Sequence, residues 1–423
     1  MPAGQETRPA LTGRQIAAVV AGNGLEFYDF ITYSFFAVQI GRALFPGDAR
    51  SSLILSLGTF GVGFVSRPLG GLVIGRLADR KGRKPAMILS FTLMGVAIAG
   101  LALTPSYALI GMGAPVLAVL FRLIQGFALG GEVGPNAAFL LEAAPPHRRG
   151  FYLSMHAASA DAASLIAGLI GLGLSASLSP AALDAWGWRA AFLIGAGIVP
   201  FGLALRRGLA ETLSDAIAMP EAPGRQRRFP IVAAAGIMIL GAATISNYAL
   251  DYLGTYAQDT LHMATTSAFG AVIMLGLCGV VGDLASGWLA DRFGRKRVLV
   301  LPWLGLILLV LPAFRLLSEL RTPAALLIAT ALLTLLHIFG STPALLLFIE
   351  SVPARIRAGA VGIIYAVAIA FFGGTTQIVL KALIDWTRNP LAPAWYMMIA
   401  ILFGLAGALA IREPPRPGKV ARG

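Results

Sequence analysis

Charged and polar side chains recur inside apolar stretches of this chain, at spacings that place them on shared helix faces. Asn23, Glu26, Asp29 and Tyr33 follow one another at intervals of three or four residues, so they project from one side of a helix. A charged residue at the centre of a membrane helix costs roughly 2.5–3.5 kcal/mol on insertion scales, so it needs a partner or a function. The two carboxylates on this face are candidate proton carriers.

A second polar face carries Arg122, Gln125 and Glu132. The acidic face and this arginine together predict an ion pair between Asp29 and Arg122. Such a pair suits proton coupling, because a buried carboxylate holds a proton more tightly once its cationic partner is engaged elsewhere. We assign Asp29 as the proton-carrying group and Arg122 as its partner. The alternative is a permanent salt bridge that joins two helices.

Three further carboxylates leave alternatives open. Glu26 could serve in place of Asp29. Glu132 follows two glycines, where helix backbones approach closely, so it is either a coupling group or a structural hydrogen-bonding group. Asp161 also lies within an apolar stretch and could tune specificity.

Polar residues in the second half of the chain suggest a site for an anion. Gln377, Lys381 and Asp385 are spaced by four residues within an apolar stretch. Lys381 and Arg122 could bind a carboxylate substrate from opposite sides, with a hydrogen bond from Gln377. An i, i+4 ion pair between Lys381 and Asp385 explains the lysine equally well.

A last polar cluster contains Asn247, Asp251 and Tyr252. We expect Asp251 to pair with Lys381 when no substrate is bound. The candidate substrate contacts are Asn23, Tyr33, Arg122, Gln125, Asn247, Tyr252, Gln377 and Lys381.

A ten-residue loop occurs twice, half a chain length apart. GRLADRKGRK at 75–84 returns as GWLADRFGRK at 287–296, with eight of ten positions identical. A repeat of this length indicates two homologous halves, which in a membrane protein typically surround a central path. We expect each loop Asp to interact with the positive end of a neighbouring helix. If the loop charges served only to orient the chain in the membrane, they would explain the basic residues but not the two aspartates. The gating-loop candidates are Gly75, Asp79, Arg80, Gly82, Arg83, Gly287, Asp291, Arg292, Gly294 and Arg295.

The composition indicates an all-α membrane protein. Hydrophobic residues form 57% of the chain and charged residues 13%, about half of the share in soluble domains. The apolar runs are continuous rather than alternating, which favours spanning helices over a β-barrel. Twelve segments have the required length of about 20 residues. They lie near 15–42, 52–77, 86–104, 112–142, 151–178, 187–205, 231–258, 266–289, 298–317, 323–349, 359–386 and 393–411.

The segments divide the chain into two six-helix bundles with pseudo-symmetry. We expect the bundles at 1–205 and 231–411, a cytoplasmic linker at 206–230 and a cytoplasmic tail at 412–423. The net charge of +13 reflects basic residues that cluster in alternate loops, which predicts cytoplasmic termini and argues against nucleic-acid binding. The single cysteine, Cys278, excludes a disulfide within the chain and a thiolate metal site, and we expect no cofactor.

The repeated loop resembles the gating-loop motif of the major facilitator superfamily. A narrower resemblance, to its metabolite:proton symporter branch, covers essentially the whole chain. It is carried by GNGLEFYDFITYSFFA (22–37), SRPLGG (66–71), RLIQGFALGGEVGPN (122–136), WGWRAAF (186–192), FGGTTQ (372–377) and NPLAPAWY (389–396). The last two look most like the citrate and organic-acid carriers of that branch.

The resemblance implies the major facilitator fold and the import of a small organic acid, such as citrate or another di- or tricarboxylate, together with protons. It also implies alternating access, a monomer and, with the composition, a bacterial inner membrane. Related carriers pair an acid on the first helix with this arginine on the fourth. A shikimate-like acid or a zwitterionic osmolyte is the alternative substrate, and a membrane sensor that does not transport is the alternative class. An enzyme is not expected, because the chain has no nucleotide-binding loop, metal-ligand cluster or nucleophile elbow.

Overall fold

The computed structural model describes residues 13–81, 83–130, 140, 144–145, 147–207, 229–353 and 357–413. Within these ranges every regular element is a helix. The helices of eight or more residues in the first half are α1 (Gly13–Phe35), α2 (Ala37–Leu44), α3 (Ala49–Val65), α4 (Arg67–Lys81), α5 (Arg83–Leu103), α6 (Gly113–Gly130), α7 (Arg149–Ser177) and α8 (Trp188–Arg207).

The second half repeats this pattern of long apolar helices. Its helices are α9 (Phe229–Asp251), α10 (Leu253–Asp259), α11 (Thr265–Phe293), α12 (Arg295–Leu320), α13 (Pro323–Ser351), α14 (Arg357–Ala368), α15 (Gly374–Thr387) and α16 (Ala392–Ala410). One π-helical turn, Ile369–Gly373, joins α14 to α15.

In the described part of the chain, nine helical stretches are long and apolar enough to cross a membrane. Helices α1, α5 and α8 occupy the positions of the other three predicted segments. The prediction of an all-α membrane protein is therefore confirmed. Of the predicted linker, 208–228 lies outside the described residues.

The first predicted segments of the two halves are each interrupted by a turn residue. The first, 15–42, is interrupted at Phe36, and the seventh, 231–258, is interrupted at Tyr252. At the first interruption the Thr32 hydroxyl donates to the Tyr28 carbonyl over 2.6 Å, a back-bond that often bends helices. The two interruptions lie at corresponding positions of the two halves.

Glycines let helices approach each other along the seams that surround the central residues. Within the first half, a Cβ on Gly126 of α6 would overlap the carbonyl oxygen of Gly63 on α3. Between the halves, a Cβ on Gly61 of α3 would overlap the carbonyl oxygen of Gly374 on α15. Helices α7 and α11 form the second contact between the halves, where Gly276 lies directly against Leu165.

Candidate functional site

A chain of three buried polar side chains occupies the centre of the first half. Gln125 donates from Nε2 to Asp29 Oδ2 over 2.6 Å, and its Oε1 accepts from Arg122 Nη1 over 2.7 Å. All three side chains are at most 1% exposed. Helix α1 supplies the carboxylate, and α6 supplies the amide and the guanidinium three residues apart, on one helix face.

The direct ion pair expected between Asp29 and Arg122 is not formed. Gln125 stands between them, because its amide can donate to the carboxylate and accept from the guanidinium at the same time. The three residues that the sequence brought together are therefore in contact, but as a relay and not as a salt bridge.

Arg122 is enclosed by aromatic rings. Its guanidinium carbon lies 4.5 Å from the ring centre of Tyr33, 4.7 Å from Phe30 and 5.1 Å from Phe60. Its Nη2 also donates to the Phe60 carbonyl at 3.4 Å. Cation–π contacts of this kind stabilise a desolvated arginine by up to about 2 kcal/mol.

Several atoms of this region have no hydrogen-bond partner among the described residues. They include Asp29 Oδ1, Arg122 Nε and Gln377 Oε1, all buried. Buried polar atoms in proteins are almost always hydrogen-bonded, so each such atom calls for an explanation. Together they mark the centre of the molecule as a place where polar groups can be bound.

Arg67 is a buried cation that the sequence analysis did not select. Its guanidinium carbon lies 4.5 Å from the Phe30 ring centre and 4.3 Å from that of Phe64, and its Nε has no described partner. The signal that could have identified it is a charged residue within an apolar run, since Arg67 interrupts that run in SRPLGG.

Two predicted substrate contacts of α1 have other partners. Asn23 donates from Nδ2 to the His156 carbonyl over 2.9 Å and to Ser159 Oγ over 2.8 Å, which ties α1 to α7. Tyr33 donates to the Ser56 carbonyl over 3.3 Å while its ring faces Arg122. Tyr33 thus lines the central cluster, whereas Asn23 lies behind it.

Gln377 crosses between the halves. Its Nε2 donates to Ser34 Oγ over 2.6 Å, and both residues are buried. This contact places Gln377 at the boundary between the two halves.

Lys381 is held by two carboxylates at one end of the molecule. Its Nζ lies 2.6 Å from Asp259 Oδ2 and 3.0 Å from Asp385 Oδ1. The other oxygen of Asp385 lies 2.9 Å from Nε of Arg50, which belongs to the opposite half. These four residues form a chain of charges across the two halves, which we call the Lys381 gate.

The expected pair between Asp251 and Lys381 is absent, because Lys381 is already engaged by Asp259 and Asp385. Asp251 instead accepts from Asn247 Nδ2 over 3.2 Å. Asn247 is exposed, and Tyr252 is buried at the turn between α9 and α10. Sequence reasoning missed Asp259 because it lies at a helix end, where a charged residue needs no special explanation.

A second carboxyl pair lies between α7 and α11. Asp161 packs against the backbone of Gly279, and it neighbours Asp283 of α11. Asp283 also accepts from Thr342 Oγ1 over 2.7 Å. Asp161 thus contacts the opposite half.

The second copy of the repeated loop joins the halves at the other end. Asp291 accepts from the backbone N–H groups of Gly150 and Phe151, over 2.9 and 3.0 Å. These are unpaired donors of the first turn of α7, where the positive end of the helix dipole favours a carboxylate. The structure therefore places Asp291 against a helix N-terminus, as the sequence predicted. We call this contact the Asp291 latch.

The neighbours of Asp291 hold the loop in place. Arg295 binds Glu350 through Nε at 3.0 Å and Nη2 at 3.1 Å, a bidentate geometry that is among the stronger ion pairs. Gly294 has a φ of +102°, which favours glycine. Gly287 packs against Ser154 of α7, and Arg292 lies over the ring of Trp288.

The first copy is only partly described. Gly75 lies within α4 with open space around its Cα. The side chains of Asp79, Arg80 and Arg83, and the whole of Gly82, lie outside the described residues. The same holds for the side chain of Glu26 and for the whole of Glu132.

The chain is similar in sequence to three transporters along most of its length. It is 34% identical over 402 residues to a citrate-proton symporter of Klebsiella pneumoniae, covering 92% of this chain and 89% of the relative. It is 34% identical over 386 residues to the alpha-ketoglutarate permease of Escherichia coli K12, covering 88% of each. It is 30% identical over 429 residues to a glycine betaine/proline/ectoine/pipecolic acid transporter of Dickeya dadantii, covering 95% and 83%.

A solved structure and a family model identify the fold. The proton:xylose symporter XylE superposes with a TM-score of 0.75 at 17% identity, over 94% of both chains. The model of the Major Facilitator Superfamily matches residues 19–374. With the repeated loop, the paired interruptions and this match along most of its length, the chain belongs to the Major Facilitator Superfamily.

Proposed function

We propose that the protein is a proton-coupled secondary transporter that imports a small organic acid, such as citrate or another di- or tricarboxylate, by alternating access. The observation that carries the proposal is the buried relay of Asp29, Gln125 and Arg122. It combines a carboxylate that can carry a proton with a guanidinium that can bind a carboxylate substrate. The sequence relatives support the substrate class.

The relay supplies a mechanism for coupling. With no substrate, the positive charge of Arg122 and the amide of Gln125 stabilise ionised Asp29. A substrate carboxylate that binds Arg122 neutralises this charge and competes for Gln125. Asp29 then takes up a proton, because a buried carboxylate without compensation is costly. Proton and anion binding thereby favour each other.

Two of the polar contacts between the halves supply the gates. We propose that the Lys381 gate closes the outer side and the Asp291 latch closes the cytoplasmic side. The basic loops at the latch end support this orientation, with both termini cytoplasmic in a bacterial inner membrane. Rocking of the halves at 1–205 and 231–411 about the central site would open one contact at a time, and we propose that a monomer suffices.

The remaining candidate residues take roles around this site. We propose that Tyr33, Gln125 and Gln377 contact the substrate with Arg122. Lys381 acts at the gate and meets the substrate on entry, while Asn247 and Tyr252 line the path beside α10. Glu26 and Glu132 remain alternative candidates for the proton carrier.

The first experiment measures uptake of labelled citrate by the purified protein in liposomes with an alkaline interior. Accumulation above equilibrium that collapses with an uncoupler is the expected result. Accumulation of proline or betaine instead would move the assignment to an osmolyte carrier. Binding without flux of any acid would contradict transport and favour a sensor.

A further inference from the structure

Two buried arginines meet at one aromatic ring in the first half. Arg67 and Arg122 each lie over Phe30, with guanidinium carbons 4.5 and 4.7 Å from its ring centre. Arg67 is 6% exposed and Arg122 is 0% exposed. The distance between the two cationic carbons is therefore limited to a length that one small molecule can bridge.

Both guanidinium groups retain donor capacity. The Nε atoms of Arg67 and Arg122 are buried and have no hydrogen-bond partner among the described residues. In the described part of the chain, Asp29 is the carboxylate joined to this cluster, and it reaches Arg122 only through Gln125. Two buried cations favour an anion beside them, since an unpaired buried charge is costly.

Close helix packing sets the spacing of the two arginine backbones. Gly130 of α6 lies against the carbonyl oxygen of Arg67, and Gly63 of α3 would place a Cβ 3.5 Å from Arg122 Nη2. The side chains start from these closely packed helices, and stacking on Phe30 holds both guanidinium groups near one ring. A restricted spacing selects ligands by the distance between their negative groups.

The pair also faces the opposite half. Phe64, on which Arg67 stacks, meets the ring of Tyr248 on α9 at 5.4 Å. An anion at the two arginines would thus lie at the boundary between the halves, where a transported substrate must bind. A guanidinium offers a planar fork of donors that matches a carboxylate, which a lysine does not.

We propose that Arg67 and Arg122 form a single two-cation site that selects substrates with two carboxylates, one for each guanidinium. This rests on the proposed function, since it names the substrate class of the same central site. Arg67 is thereby a specificity-determining residue. A ligand with one carboxylate would leave one guanidinium buried without its anion.

The test compares 2-oxoglutarate and citrate with methyl esters of each that retain one free carboxylate. Binding is measured by thermal stabilisation of the purified protein, and uptake is measured in liposomes under a pH gradient. We expect the wild-type protein to bind at least one of the acids about tenfold or more tightly than its ester, which corresponds to about 1.4 kcal/mol. In Arg67→Gln this ratio should fall to near one, with ester binding little changed.

Two variants make the comparison specific. Arg67→Lys keeps the charge but not the planar fork of donors. We expect this variant to fold even where Arg67→Gln is unstable, and its acid-to-ester affinity ratio should be several-fold lower than that of the wild-type protein. Arg189→Gln is the matched control. Arg189 stacks on Trp188 and donates to the carbonyls of Ala102 and Thr104, away from Phe30. The acid-to-ester affinity ratio of Arg189→Gln should therefore equal that of the wild-type protein.

The outcomes separate this proposal from the proposed function. The two-cation site would be overturned if the wild-type protein bound acid and ester equally, or bound neither. It would also be overturned if the acid-to-ester affinity ratio were unchanged in Arg67→Lys and Arg67→Gln. Proton-driven uptake of the ester would leave the transport proposal standing. Selective binding of the acid without proton-driven flux would contradict the transport proposal but support the two-cation site.

Discussion

The side-chain amide of Gln125 lies 2.6 Å from Asp29 and donates to it. Because the same side chain accepts from Arg122, the orientation of one amide group links the state of the carboxylate to that of the guanidinium. Coupling through an amide differs from coupling through a salt bridge, since the two charged groups influence each other without direct contact.

Asp29→Asn should uncouple transport from the proton gradient. Asparagine keeps the shape and can accept from Gln125, but it cannot ionise. We expect uphill accumulation to be lost, while exchange of labelled for unlabelled substrate stays within a few-fold of wild type and no longer depends on pH. The measurement is net uptake and exchange in the same liposomes.

Glu26→Gln is the comparison for Asp29→Asn. If Asp29 carries the proton, Glu26→Gln should still accumulate substrate against a gradient. The reverse result, with Asp29→Asn active uphill and Glu26→Gln uncoupled, would transfer the role to Glu26.

Lys381→Ala should open the outer side. Removing the lysine leaves Asp259 and Asp385 as neighbouring like charges. It also interrupts the chain of charges between Asp259 and Arg50, although Arg50 keeps its own contact with Asp385. Removal of one partner from a buried ion pair costs about 3–5 kcal/mol, an upper bound here because Asp259 is 17% exposed. We expect Ser34→Cys, in a Cys278→Ser background, to react several-fold faster with an external thiol reagent.

Arg315→Ala is the matched control for the Lys381 gate. Arg315 pairs with Glu319 within one helix turn, with side chains 73% and 60% exposed, and exposed pairs contribute about 0–1 kcal/mol. Labelling of Ser34→Cys should not change in this variant. Equal labelling rates in Lys381→Ala and Arg315→Ala would contradict a gating role for Lys381.

Asp291→Ala should favour opening at the opposite end. It removes both acceptors for the N–H groups of Gly150 and Phe151, whereas Asp291→Asn retains one acceptor oxygen. We expect labelling of an introduced cysteine from the latch side to increase in the order wild type, Asn, Ala. An Asp291→Ala protein labelled no faster than wild type would show that the latch does not hold the halves together.

Gly126→Ala should destabilise the protein. The new methyl group would overlap the Gly63 carbonyl, and overpacking of this kind typically costs about 1–3 kcal/mol. Gly173→Ala, in α7 with nothing within 4 Å of the added Cβ, should be neutral or stabilising by about 0.5–1 kcal/mol. Thermal unfolding in detergent checks both, and similar unfolding temperatures would contradict the close approach of α3 and α6.

The members of the relay could be selected from sequence, although their arrangement could not. Asp29, Arg122 and Gln125 are polar residues in apolar stretches, and a spacing of three places the last two on one face. That Gln125 would stand between the charges could not be read from spacing, since it depends on how α1 packs on α6.

The gate was harder to predict, because its contacts join residues far apart in the chain. Lys381 and Asp385 are four residues apart and were paired correctly as one of two alternatives. Arg50 and Asp259 lie at helix ends, where charge is common, so only the packing of the two halves reveals their role. Asn23 shows the converse case, since a shared helix face did not bring it to the central cluster.

In the Asp291 latch one half contributes a side chain and the other contributes only main-chain groups. Its donors are main-chain groups, so most substitutions at Phe151 would leave them in place. Gly150 is restricted for another reason, because a Cβ there would lie 2.6 Å from the Gly287 carbonyl oxygen and 2.9 Å from Asp291 Oδ1. Proline is the natural amino acid that lacks a backbone N–H, so it is the substitution at position 151 that would remove the donor. The first turn of a helix tolerates proline. Substitutions at position 151 other than proline thus keep the main-chain donor, whereas the acceptor of the contact is a side chain of the second half.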